Sequence, residues 1–103
     1  MPIDHEIPDG EVLVIVEPQA VYDWEGLAAY QAAAREQATR RGGQVVARGG
    51  ALVEGEPDLL FHLVQRWPSA QSFLDWQDSD EYRPLKEARM NLMKVRISIV
   101  PVI

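Results

Sequence analysis

A chain of 103 residues with 47% hydrophobic and 25% charged content has room for one core, and that composition excludes wholesale disorder. The net charge of −6, with no cationic run longer than Arg40-Arg41, excludes nucleic acid as a partner, because a phosphate-binding surface needs clustered cations. Cysteine is absent, which removes disulfides, thiolate metal sites and a cysteine nucleophile together.

Residues 1–10 carry two prolines, a glycine and no periodicity, and read as an N-terminal arm ahead of one domain over 11–103. The acidic start Met1-Pro2-Ile3-Asp4-His5-Glu6 is unlike a signal peptide. The longest apolar run, Val12 to Val16, is far too short to cross a bilayer. A cytoplasmic protein with no membrane partner is the expectation.

Glu11 to Glu17 is a strand rich in Val, Leu and Ile, with Pro18 to Tyr22 as a loop. Asp23 is suited to cap the following helix, since its carboxylate can accept from the open amides of the first turn. Leu27, Tyr30, Ala34 and Ala38 follow helical spacing and make one narrow apolar stripe, with Arg35, Glu36 and Arg40 turned to water. Gly42-Gly43 ends the helix, with the left-handed conformation expected at Gly43. Gln44 to Arg48 is the second strand, Gly49-Gly50 a bend with positive φ at Gly50, and Gly55 to Asp58 a turn.

Leu59 to Trp67 is the third strand, and Ser69 after Pro68 caps a short helix containing Phe73, Leu74 and Trp76. Pro84 forbids one continuous helix, so the chain breaks near Ser79 to Arg83 and resumes with Pro84 in its first turn. Lys94 to Val102 is the last strand. The order βαββαβ gives an α+β ferredoxin-like sandwich, a four-stranded antiparallel sheet with its helices on one face. Its central strands are apolar on both sides, and helices cover only one, so a second copy of the chain is the expected cover for the other.

The chain resembles the DUF1330 family, a bacterial domain of unknown function within the dimeric α+β-barrel superfamily. The likeness rests on Asp23 with Tyr30, Gly42-Gly43, Arg48-Gly49-Gly50, Glu54-Gly55, Trp67-Pro68-Ser69-Ala70, Ser79-x-Glu81-Tyr82 and Arg89. Departures are the N-terminal arm, the longer Pro18 to Tyr22 loop, and His62, Gln65 and Arg66 in the third strand. The resemblance implies two sheets packed face to face in a homodimer. Better-known relatives in the superfamily include cofactor-independent monooxygenases, isomerases, lactone-forming enzymes and haem proteins.

Candidate chemistry centres on His62, Tyr82 and Arg89. A neutral imidazole at His62 can act as general base, or it can be a hydrogen-bonded core or interface histidine. Tyr82 can reach a cavity with its hydroxyl, or pack as an amphipathic ring. Arg89 can clamp a carboxylate, or pair with Glu81 or Glu87. Trp24, Tyr30, Arg48 and Trp76 are candidate ligand-binding residues around a flat, aromatic-walled pocket, with a cross-turn pair to Glu54 as the other reading of Arg48. No metal and no cofactor are expected, since His5 and His62 are the only histidines and Asp4-His5-Glu6 reads as a solvated arm. Neither glycine pair precedes a helix, so no phosphate cradle is offered.

Strand alternation puts His62 with Leu60, Val64 and Arg66, opposite Leu59, Phe61 and Leu63. In one parity His62 points between two sheets; in the other it lies under the helices near Tyr82 and Arg89. The second is the working expectation, because it gathers three polar groups. The functional expectation is a cofactor-independent enzyme performing proton-transfer isomerisation or cyclisation on an aromatic or polyketide-like metabolite. The alternative is a non-catalytic binding or dimerisation module, which a cavity under about 150 Å³ would favour.

Overall fold

The computed structural model describes residues 7–103, so most of the expected arm, including Asp4-His5-Glu6, lies outside the described residues. Strand β1 spans Val12–Val21, helix α1 Trp24–Arg40, β2 Gln44–Gly49, β3 His62–Trp67, α2 Ala70–Gln77, α3 Arg83–Leu92 and β4 Met93–Pro101. The four strands form one antiparallel sheet in the order β2-β3-β1-β4. This is the ferredoxin-like α+β arrangement, with its second helical region divided into α2 and α3. No described helix is long and apolar enough to cross a membrane.

Local chemistry sets most boundaries. The Asp23 carboxylate accepts from the Gly26 amide at 3.0 Å and the Ser69 hydroxyl from the Ser72 amide at 3.0 Å, each satisfying a first-turn donor. At the end of α1, Gly43 N–H donates to the Ala38 carbonyl and Gly42 N–H to that of Thr39. Gly42 carries the left-handed backbone, at φ 98°, which is the glycine-favouring position of this helix stop. Positive φ does occur at Gly50 but not at Gly43, whose role is steric.

Two boundaries differ from the sequence expectation. Strand β1 continues through Pro18 to Val21, with an irregularity between Pro18 and Ala20 against β4. Pairing with β3 ends at Val16, and Pro18 C=O accepts from Leu60 on that side. The amide that proline lacks would point to the same vacated edge, so no bond to β4 is lost. Strand β3 begins only at His62; in the segment before it, Leu60 N–H bonds across to β1.

The core lies between sheet and helices. Val12 and Val14 are fully buried with Trp67, Ala70, Phe73 and Trp76, and Val16, Ile97 and Ile99 pack against them. Trp67 stacks on Trp76 at 5.5 Å, and Trp76 meets Tyr82 at 4.5 Å. Because Trp67 faces the helices, alternation sends Gln65 and Leu63 the same way and Arg66, Val64 and His62 to the opposite face. Leu13, Ile15 and Glu17 of β1 share that opposite face.

Candidate functional site

A cavity of about 60 Å³ opens between α1, the sheet and α3. Val16, Phe61, Leu63, Phe73 and Ile97 form much of its apolar wall, and Tyr30, Trp76, Tyr82 and Arg89 meet there. The Tyr30 and Tyr82 hydroxyl oxygens lie 2.5 Å apart, and Arg89 Nη1 donates to the Tyr82 oxygen at 3.3 Å. The Arg89 guanidinium also sits 6.0 Å from the centre of the Tyr82 ring, within cation–π range.

Hydrogen counting gives this cluster its character. Two hydroxyls supply two hydrogens, and their mutual bond uses one. Whichever tyrosine donates, one hydroxyl hydrogen stays available, with further N–H donors on Arg89 beside it. Burial, and then the neighbouring Tyr82, push the Tyr30 hydroxyl well above the usual tyrosine range, so Tyr30 stays protonated. The cluster therefore has donors to spare at the edge of an apolar cavity.

The Ser79-x-Glu81-Tyr82 motif places Tyr82. Ser79 Oγ donates to the Trp76 carbonyl at 2.7 Å and accepts from the Tyr82 amide at 3.2 Å, tightening the α2–α3 connection. Glu81 accepts from Arg40 and, at 3.3 Å, from Arg41 at the end of α1. The Arg40 hydrogen bond is the main reason the Glu81 carboxyl is held below its usual range. Gln37 joins both sides, accepting from the Trp76 indole at 3.1 Å and donating to the Glu81 carbonyl at 3.2 Å. Gln37 was missed in the sequence, where its only signal is its place one residue before Ala38 on the helix stripe.

Several expected placements change. His62 lies outside this cavity, on the other sheet face, where its Nδ1 is 3.6 Å from Glu17 Oε2. The expectation that it joins Tyr82 and Arg89 beneath the helices is therefore corrected: the buried indole of Trp67 sets the parity of β3. Trp24 is also elsewhere, 60% exposed with its ring 6.4 Å from Phe61. Tyr30, Arg48 and Trp76 do line the cavity. Arg89 pairs with neither Glu81 nor Glu87, and Arg48 does not pair with Glu54. Arg35 is exposed as expected, and from one position beyond the Ala34 stripe it also lines the cavity. Among the described residues no cluster of three or more His, Cys, Asp or Glu side chains is arranged to hold a metal.

The model of the domain of unknown function DUF1330 matches residues 11–103. The chain belongs to that family. Among curated proteins, none matches. Solved structures share the fold at low identity. RPA0582 from Rhodopseudomonas palustris, a protein of unknown function, is 19% identical with a TM-score of 0.76, over 93% of this chain and 85% of that one. SnoaB from Streptomyces nogalater, a cofactor-independent oxygenase, is 16% identical with a TM-score of 0.64, over 92% and 94%. PA3566 from Pseudomonas aeruginosa is 14% identical with a TM-score of 0.59, over 95% and 98%. At these identities the likeness of this DUF1330 member to them concerns the fold alone.

Proposed function

We propose that the protein is a homodimeric small-molecule-binding module that holds the oxygen of a compact metabolite on Tyr30, Tyr82 and Arg89. The carrying observation is the convergence of those donors at one apolar cavity, with Tyr30 and Tyr82 2.5 Å apart. The cavity's 60 Å³ is well below the roughly 150 Å³ that accommodates benzene. That volume favours a compact ligand over the aromatic or polyketide-like one expected from sequence, and favours binding over turnover of a large substrate.

The second subunit enters because the outer sheet face carries Leu13, Ile15 and Val64 at its centre, none of them fully exposed or fully buried in one chain. Covering that patch with its own counterpart satisfies both copies, as a two-fold interface does.

A second reading, a cofactor-independent enzyme, is favoured by the same donor cluster. An enolisable carbonyl bound there would lose an α-proton while its oxygen gains negative charge, which Tyr82 and Arg89 are placed to stabilise. Among the described residues no carboxylate or histidine lines the cavity, so the proton would pass to solvent. Acetone, a carbonyl compound smaller than benzene, tests both readings. Its binding is followed by NMR shifts of Tyr30, Tyr82 and Arg89, and the exchange of its methyl hydrogens in deuterated water reports turnover. Tyr82→Phe is expected to weaken binding about three- to tenfold, the size of one lost hydrogen bond. Exchange accelerated by wild type and not by the variant would make the enzyme the better reading; shifts confined to other surfaces would remove both.

A further inference from the structure

The arginines of this chain divide into two groups. Arg40 and Arg41 pair with Glu81, Arg66 with Glu11, Arg83 with Asp80 and Arg96 with Glu17. Arg35, Arg48 and Arg89 have no carboxylate within 4.0 Å among the described residues, and these are the three that line the cavity. The chain holds 16 acidic residues against 10 basic ones, yet among the described residues no Asp or Glu lines that cavity. An acidic protein has thus gathered its carboxylate-free guanidinium groups around one small apolar space.

Their placement is graded. Arg89 is half-buried and engaged with Tyr82, whereas Arg35 on α1 and Arg48 on β2 are exposed at the opening. Arginine presents a planar fork of donors that matches a carboxylate, and a cleft lined by one sign of charge concentrates counter-ions of the other. Inner donors, outer cations and the apolar wall together suit a short carbon skeleton that carries two oxygen functions.

Resting on the binding reading above, we propose that the ligand is a compact organic carboxylate carrying a second oxygen function. The Tyr30–Tyr82–Arg89 cluster holds one oxygen group, and Arg35 and Arg48 at the opening supply the charge that selects the anion.

Pyruvate and its neutral isostere pyruvamide separate charge from shape, and inorganic phosphate separates an organic carboxylate from a bare anion. Each is titrated into isotope-labelled full-length protein and followed by NMR. Pyruvate is expected to shift residues around Tyr30 and Arg48 and to bind at least about tenfold more tightly than pyruvamide. Arg35→Gln combined with Arg48→Gln should abolish that preference, while Arg83→Gln, which alters a paired surface arginine, should keep it. Equal binding of pyruvate and pyruvamide in the cavity overturns the anion assignment and leaves the binding site standing. Phosphate binding as tightly as pyruvate overturns the carboxylate assignment. Shifts lying wholly outside the cavity, or no binding by any of the three probes, overturn both this inference and the site on which it rests.

Discussion

Gly43 lies against the indole of Trp67 so closely that a Cβ at residue 43 would stand 2.5 Å from Cζ2 of that ring. The neighbouring Gly42 has a different task, the left-handed backbone at φ 98° that ends α1. One pair of glycines therefore serves two physical ends, a conformational one and a steric one. Gly43→Ala drives a methyl into a rigid, fully buried ring, an overpacking expected to cost about 1–3 kcal/mol. For a domain of this size it should lower the melting temperature by at least about 4 °C. A thermal melt matching wild type would show that Trp67 yields without loss.

The outer sheet face predicts the assembly. Light scattering after size exclusion is expected to give twice the 11.6 kDa chain mass. Ile15→Lys, which places a charge at the centre of that face, should shift the protein to the monomer because an unpaired charge is costly to bury. A wild-type protein that elutes as a stable monomer would end the two-copy arrangement.

Glu81 ties the end of α1 to the connection that carries Tyr82, and its carboxyl is held below the usual range chiefly by Arg40. A depressed folded-state value means that ionised Glu81 stabilises the fold above the ordinary carboxylate value of about 4.3, and that this contribution fades as pH falls through the lower folded value. Urea midpoints of wild type and Glu81→Gln should therefore differ near neutrality and converge in acid. A gap independent of pH would assign the effect to shape instead of charge.

Tyr30 gives the opposite limb. Burial first, and then Tyr82, raise its hydroxyl above the ordinary tyrosine value. The unfolded chain ionises this group near pH 10 and the folded chain resists, so stability is full below about 10 and declines as the pH rises beyond it. Tyr30→Phe should flatten that alkaline decline in denaturation curves. An unchanged decline in the variant would place its origin in other groups.

How far the sequence reaches is clear from particular elements. Asp23, Ser69, the glycine stop after α1 and Pro84 near the start of α3 act within a few residues of themselves, and each was legible because capping and φ restriction are local. The Ser79-x-Glu81-Tyr82 motif was visible as a pattern, but its meaning was not, since Glu81 meets Arg40 and Arg41 across some forty positions of chain.

Alternation along β3 divided its side chains into two sets and determined that His62 and Leu63 lie on opposite faces. Which set faces the helices was decided only when Trp67 settled against Phe73 and Trp76, because a period of two has no preferred side until a core exists. The same packing brought Tyr30 to Tyr82 and left Arg35, Arg48 and Arg89 lining a cavity that no carboxylate of the described residues joins. Long flexible side chains find partners by proximity in space, and proximity belongs to the tertiary structure.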